Sequence, residues 1–168
     1  MFDLDQINPW GTVAAGLAAY ALGPLWFSPM LFGTRWSDSL KASSGQPGSP
    51  MVAMGLTLPT TLLAAFAMAL LFQVGGIDTT GRGLVAGLIV GLGIVVSTSF
   101  SDALFVNQIR TWWLIQATYR TFSFLLLGAI LGASAPENHF RALERQMEQA
   151  APQVQEQVDA LGKALGAN

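Results

Sequence analysis

Residues 83–105 read Gly83-Leu84-Val85-Ala86-Gly87-Leu88-Ile89-Val90-Gly91-Leu92-Gly93-Ile94-Val95-Val96-Ser97-Thr98-Ser99-Phe100-Ser101-Asp102-Ala103-Leu104-Phe105. No charge interrupts this stretch before Asp102. A helix of this length rises far enough to cross about 30 Å of hydrocarbon, which takes roughly 20 apolar residues. Gly83, Gly87 and Gly91 recur every four residues and share one helix face. Small residues at that spacing let a second helix backbone approach closely, as they do in membrane bundles. The same glycines cannot form a phosphate-binding loop, because the Gly-Lys-Ser/Thr ending is missing.

Working outward, three more stretches are free of charge: Gln6 to Thr34, Ala42 to Ile77, and the residues after Arg120 as far as Pro136. Apolar residues make up 52% of the 168-residue chain and charged residues 11%. Soluble domains run near 25% charged, so this chain has too little polar material to cover four apolar helices in water. The expected fold is all-α, a polytopic membrane protein of four transmembrane helices plus a C-terminal amphipathic helical tail. Residues 1–133 make the membrane domain and 134–168 the soluble tail. The spans fall at about Asn8–Gly33, Met51–Val74, Gly83–Phe105 and Trp112–Gly132.

The first span lacks the basic start of a cleaved signal peptide, carrying Asp3 and Asp5 instead. Trp10, Trp26, Phe27, Trp36, Trp112 and Trp113 stand near span ends, where aromatic rings prefer the headgroup levels. Pro24 lies inside the first span and removes a backbone hydrogen bond. Residues 22–29 therefore read as a bent helix end or a short re-entrant turn. Arg35 to Pro50 reads as a loop, dense in turn formers. In the second span Thr57, Thr60 and Thr61 surround Pro59, and their hydroxyls can bond carbonyls that the proline frees. Gly75 to Arg82 suits a tight helical hairpin. In the fourth span Gly128 and Gly132 again sit four apart and join Gly83, Gly87 and Gly91 as candidate packing positions.

The tail is a different material. Ser134-Ala135-Pro136-Glu137 reads as a capping box, with Ser134 as the cap. Phe140, Leu143, Met147 and Val154 form one apolar stripe, and Val158, Leu161 and Leu165 a second beyond a kink at Pro152. From Glu137 on, five acidic residues (Glu137, Glu144, Glu148, Glu156, Asp159) outnumber three basic ones (Arg141, Arg145, Lys163). That balance argues against the tail lying on anionic lipid and for a protein contact.

Chemistry is sparse. There is no cysteine, which excludes disulfides, thiolate metal sites and thiol catalysis. The one histidine, His139, lies in the tail. No nucleophile motif and no paired intramembrane carboxylates occur, so no enzyme, metal or cofactor is expected. A net charge of −2 gives no footprint for nucleic acid. The exception is Arg120, inside the fourth span, where a charge costs several kcal/mol unless paired or snorkelling. Asp102 is the nearest candidate partner, although it should lie shallower. Ser97, Thr98, Ser99 and Ser101 could complete a polar patch. Snorkelling and a functional polar cavity remain as other readings of Arg120.

Asn8, then Gly23-Pro24-Leu25-Trp26-Phe27-Ser28-Pro29, then Phe32-Gly33 and Trp36, resemble the opening signature of small bacterial membrane proteins grouped as domain of unknown function 1761. Asn107, Tyr119 and Gly128-Ala129-Ile130-Leu131-Gly132 fit the closing section of that family. The resemblance runs from Ile7 to Ala133. It implies about four spans and carries no established activity. Phe27 stands where the family usually has tyrosine, and Pro24 where a small residue is common. Arg120 and the long tail are not family features.

The expected function is that of a non-enzymatic structural or accessory subunit, acting through helix packing and a tail contact. The expected partners are membrane lipid and another membrane protein or further copies of the chain. A small oligomeric transporter or channel is the alternative, and a lipid-modifying enzyme a remote third. The expected location is the bacterial inner membrane, with both termini on the same, cytoplasmic side. Basic residues near the membrane balance, three against three, so charge does not orient the chain.

Overall fold

The computed structural model describes residues 7–41, 49–105, 111–136 and 139–166. All of its regular structure is helical. In chain order the helices are α1 (Pro9–Trp26), α2 (Gly33–Lys41), α3 (Pro50–Gly75), α4 (Thr80–Phe105), α5 (Thr111–Ser134) and α6 (His139–Gly166). They form two compact units, Met1–Pro136 and Glu137–Asn168.

Local chemistry sets the helix ends. Asn8 caps α1, its side chain accepting from the Gly11 N–H at 3.0 Å, and Pro9 follows at the position that needs no donor. Gly76 ends α3 in the left-handed conformation at φ 60°, which glycine adopts without a Cβ penalty. Thr79 then caps α4 by accepting from the Arg82 N–H at 3.3 Å. The α3–α4 connection is therefore a short turn, but not the expected tight hairpin, because α3 packs on α1 and α4 on α5 rather than on each other. Asp78 is buried within the turn, 3.6 Å from the Arg82 guanidinium.

Three helices are long and apolar enough to cross a membrane: Met51–Gly75, Thr80–Phe105 and Thr111–Ser134. Their outward faces expose Leu63, Phe66, Leu71, Val85, Ile89, Leu92, Ile94, Leu114 and Phe122. So continuous an apolar surface is a liability in water and the proper exterior of a protein in lipid. α1 is not among these three. Its 18 residues include Pro9, Trp10, Gly11, Thr12 and Pro24, which dilute its apolar character. Where four spans were expected, the described residues hold three helices of spanning length and apolarity, and α1 is a shorter helix packed beside them.

The core is built from small residues. Ala15, Ala19, Ala65, Met68, Ala69, Phe72, Leu127 and Leu131 bring α1, α3 and α5 together. α1 contributes Gly11, Thr12, Ala15, Gly16 and Ala19 to the buried side. Gly11, Ala15, Ala19 and Gly23 recur every four residues, a small-residue face unrecognised in the sequence.

Several expectations change. The first span ends at Trp26, and Pro24 is accommodated inside α1. The stretch read as a loop begins with a helix, α2, because after Gly33 residues 34–41 hold no glycine or proline, and the Trp36 ring anchors the helix against Phe27. Residues 42–48 lie outside the described residues, as does Asn107. α3 runs through Pro59. The Thr57, Thr60 and Thr61 hydroxyls bond the carbonyls of Ala53, Leu56 and Thr57, flanking Gly55, whose carbonyl loses its partner at Pro59. The middle of α4, Ile89–Val96, is wound as a π-helix. Just beyond it, Ser97 and Thr98 hydroxyls donate to the Gly93, Ile94 and Val95 carbonyls, covering acceptors exposed by the wider turn. Nothing in the run of Ile, Val, Leu and Gly announced this winding.

Ser134 does not cap the tail helix. It is the last residue of α5, where its hydroxyl donates to the Leu131 carbonyl and its own carbonyl accepts from Asn8 Nδ2 at 3.0 Å. Glu137, the other half of the expected box, lies outside the described residues. α6 is one helix from His139 to Gly166 with Pro152 inside it.

Candidate functional site: helix seams and the signature turn

α4 and α5 run antiparallel with their backbones in direct contact. A Cβ built on Gly83 would strike the Gly128 carbonyl oxygen, and one on Gly128 would strike that of Gly83. A Cβ on Gly87 would strike the Phe124 carbonyl, and one on Gly132 that of Thr79. Gly91 is close to the Phe124 side chain, with 2.8 Å from its built Cβ to the Phe124 Cβ. All five candidate glycines therefore sit in one seam. Gly93 has open space around it.

The same contacts index depth. Thr79 lies by Gly132, Gly83 by Gly128, Gly87 by Phe124, and the Trp113 Nε1–H donates to the Ser99 carbonyl at 3.2 Å. Continuing this register puts Arg120 level with Leu92, and Asp102 beyond the start of α5. About ten residues, roughly 15 Å at the helical rise, separate the two levels. Asp102 and Arg120 are both exposed, and neither makes an ion pair among the described residues. The expected pair is not made, because neither side chain can span that difference in depth. Ser99 is drawn instead to Trp113, and Ser97 and Thr98 to their own helix.

Arg120→Leu and Asp102→Asn are therefore expected to act independently. Their stability changes should sum to within about 0.5 kcal/mol, as for sites well separated in space. Thermal unfolding of the two single variants and the double variant in one detergent checks this. A double variant more than about 1 kcal/mol better than the sum would restore the pair.

At the opposite end of α1 the Gly23–Trp36 segment folds into a compact knot. Phe32 N–H donates to the Trp26 carbonyl at 3.2 Å, and Gly33 N–H to the Ser28 carbonyl at 2.9 Å. These bonds reverse the chain into α2. The Trp26 ring packs on Phe32 at 4.8 Å and Phe122 at 5.4 Å, and its Nε1–H donates to the Ile115 carbonyl at 3.3 Å. Phe27 lies between Trp36, at 5.2 Å, and Tyr119, at 5.1 Å. The Trp112 backbone N–H donates to Ser39 Oγ, tying α2 to the start of α5. In the sequence these residues carry only a family resemblance, and in the structure they join α1, α2 and α5. Their aromatic spacing was the available signal.

In the second unit, Leu143, Met147, Val154, Val158 and Leu161 are all exposed, from 41% to 67%. The side chains of Phe140 and Leu165 lie outside the described residues. Gln155 Nε2 donates to Asp159 Oδ1 at 3.2 Å on the polar side. Among the described residues no group of three or more His, Cys, Asp or Glu side chains could hold a metal ion.

These features define a multi-pass α-helical membrane protein whose helices are closed by glycine and aromatic seams. Residues 10–132 match the family model described as "Protein of unknown function (DUF1761)". The chain belongs to that family, and the matched range takes in the signature turn, the glycine seam and Arg120. No curated protein and no solved structure matches the chain.

Proposed function

We propose that the protein is a non-enzymatic, four-span accessory subunit of the bacterial inner membrane that binds a protein partner through α6. The fourth span is α1. Support comes from its two ties to α5: Asn8 to Ser134 at one end, and Trp26 to Ile115 at the other. Those ties make α1 antiparallel to α5 along almost its whole length. Eighteen residues rise about 27 Å, close to the hydrocarbon thickness. Both termini then leave on one side, which the proposal takes as cytoplasmic.

The observation that carries the accessory role is the exposed stripe Leu143, Met147, Val154, Val158, Leu161 on α6. A lone amphipathic helix is marginal in water without something against its apolar face. Covering these half-exposed side chains contributes about 1 kcal/mol each. Association costs several kcal/mol in lost freedom, so five such side chains alone make a weak contact, and capture calls for crosslinking before detergent is added.

Truncation after Pro136 is the test. Stopping earlier, after Ala133, would remove the Ser134 carbonyl that holds Asn8. The shortened chain is expected to insert and to melt as the full chain does, while crosslinked partners disappear. Retention of every crosslinked species would remove the tail from the contact. A homo-oligomer that survives truncation and carries a bound ion would favour the transporter reading.

A further inference from the structure

Three hydrogen-bond donors at the α2 end of the first unit are buried without an acceptor: Ser28 Oγ, Trp36 Nε1 and Trp112 Nε1. The residues that carry them adjoin one another in the turn, α2 and the start of α5. Ser28 follows Phe27, whose ring packs on Trp36 at 5.2 Å. Trp36 lies one turn before Ser39 on α2, and Ser39 receives the Trp112 backbone N–H. Buried polar atoms are nearly always paired, and an orphan group calls for a physical reason such as a bound ion or ligand. Here the orphans share one character. Two are indole N–H groups that can only donate, and the third is a hydroxyl that can donate. Packing alone does not demand this, since phenylalanine and alanine would fill the same space without stranded protons.

We propose that the Ser28 turn, α2 and the first turn of α5 hold the phosphate group of an anionic membrane lipid. The ligand must supply several acceptor oxygens, and phosphate does. Arg35, next to Trp36, is exposed and in no ion pair among the described residues, so it supplies a countercharge. The position suits a headgroup: Trp112 and Trp113 open α5, at the level where such rings meet the membrane surface. Leu25 and Leu114 are exposed nearby as a surface for acyl chains. This site is separate from the tail contact, and either can hold without the other.

The test uses the full-length protein, delipidated in a phosphate-free detergent and labelled with ¹⁵N at its indoles. Titration with phosphatidylglycerol should move the Trp36 and Trp112 indole signals saturably. The Trp10 signal serves as the control for non-specific lipid contact: that residue is 82% exposed at a span end, so it should respond alike to any lipid and without saturation. A diacylglycerol glycoside, which lacks phosphate, should leave the Trp36 and Trp112 signals in place. Trp36→Phe keeps a ring against Phe27 and removes one donor, and should weaken lipid binding by about ten-fold or more. No movement with phosphatidylglycerol, or equal movement with the glycoside, overturns the proposal. Movement with inorganic phosphate but not with the lipid overturns the lipid as its source. If Trp36→Phe does not fold, the titration of the unaltered protein still decides.

Discussion

Gly87→Leu is expected to abolish recovery of folded protein in mild detergent, while Gly93→Leu leaves it near normal. A Cβ on Gly87 would strike the Phe124 carbonyl oxygen and stand 3.0 Å from its carbon and 3.2 Å from the Leu125 Cα. All three are backbone atoms of a packed helix, so none can swing aside. α4 and α5 would have to separate, and the Phe124 and Leu127 packing beneath them would open. Overpacking of a well-filled interior costs about 1–3 kcal/mol when side chains can yield. Here backbone must yield, so about 3 kcal/mol is a lower figure, a large part of the stability of a small domain. Gly93 is exposed, and a Cβ there meets nothing within 4 Å, so a leucine side chain has room to extend outward. Size-exclusion profiles after graded heating compare the two. Equal behaviour would mean that the α4–α5 seam is not drawn correctly.

That seam was legible because its signal is local. Gly83, Gly87 and Gly91 lie four apart, and no side-chain detail is needed to put them on one face. α1 shows the limit of the same logic. Its buried side uses Gly11, Ala15, Ala19 and Gly23, and alanine at that spacing is too common in helices to stand out. The Ser134 box failed for a related reason. A serine followed by glutamate three residues on is a start signal, but a serine hydroxyl bonds a carbonyl behind it equally well. Only the distant Asn8 decides which helix owns it. α2 was hidden by its neighbours, since the breakers from Ser43 to Pro50 coloured the whole stretch from Arg35. The Asp102–Arg120 pair follows from opposite charge and nearness across the turn, with Asp102 expected to lie only somewhat shallower, and the depth difference along two packed helices is too large for it. Likewise the signature turn has meaning only when Tyr119 and Phe122, about ninety residues away in the chain, come to rest on Trp26 and Phe27.

Gly33→Ala is expected to destabilise the protein by about 2–3 kcal/mol, at the upper end of what one added methyl does in a packed site. The angle φ at Gly33 is not the reason, because Gly76 is the one described glycine with positive φ. The reason is crowding inside a closed turn. A Cβ at Gly33 would strike the Phe27 carbonyl oxygen and stand 2.8 Å from the Phe27 carbonyl carbon and from the Ser28 oxygen. The Ser28 carbonyl already accepts the Gly33 N–H at 2.9 Å, and the Trp26 carbonyl accepts the Phe32 N–H at 3.2 Å. Neither peptide can retreat without opening one of those bonds. Opening the turn also carries Phe27 off Trp36 and Tyr119, so α2 loses its hold on α5. Gly55→Ala is the control. Gly55 lies inside α3 with nothing within 4 Å of a built Cβ, so alanine there should be neutral or stabilising by up to about 1 kcal/mol through helix propensity alone. Thermal melts followed by tryptophan emission read both variants, since Trp26 and Trp36 sit in the turn. If Gly33→Ala melts with Gly55→Ala, the turn is looser than its hydrogen bonds imply. α2 must then be held by the Ser39 to Trp112 bond and its neighbours instead.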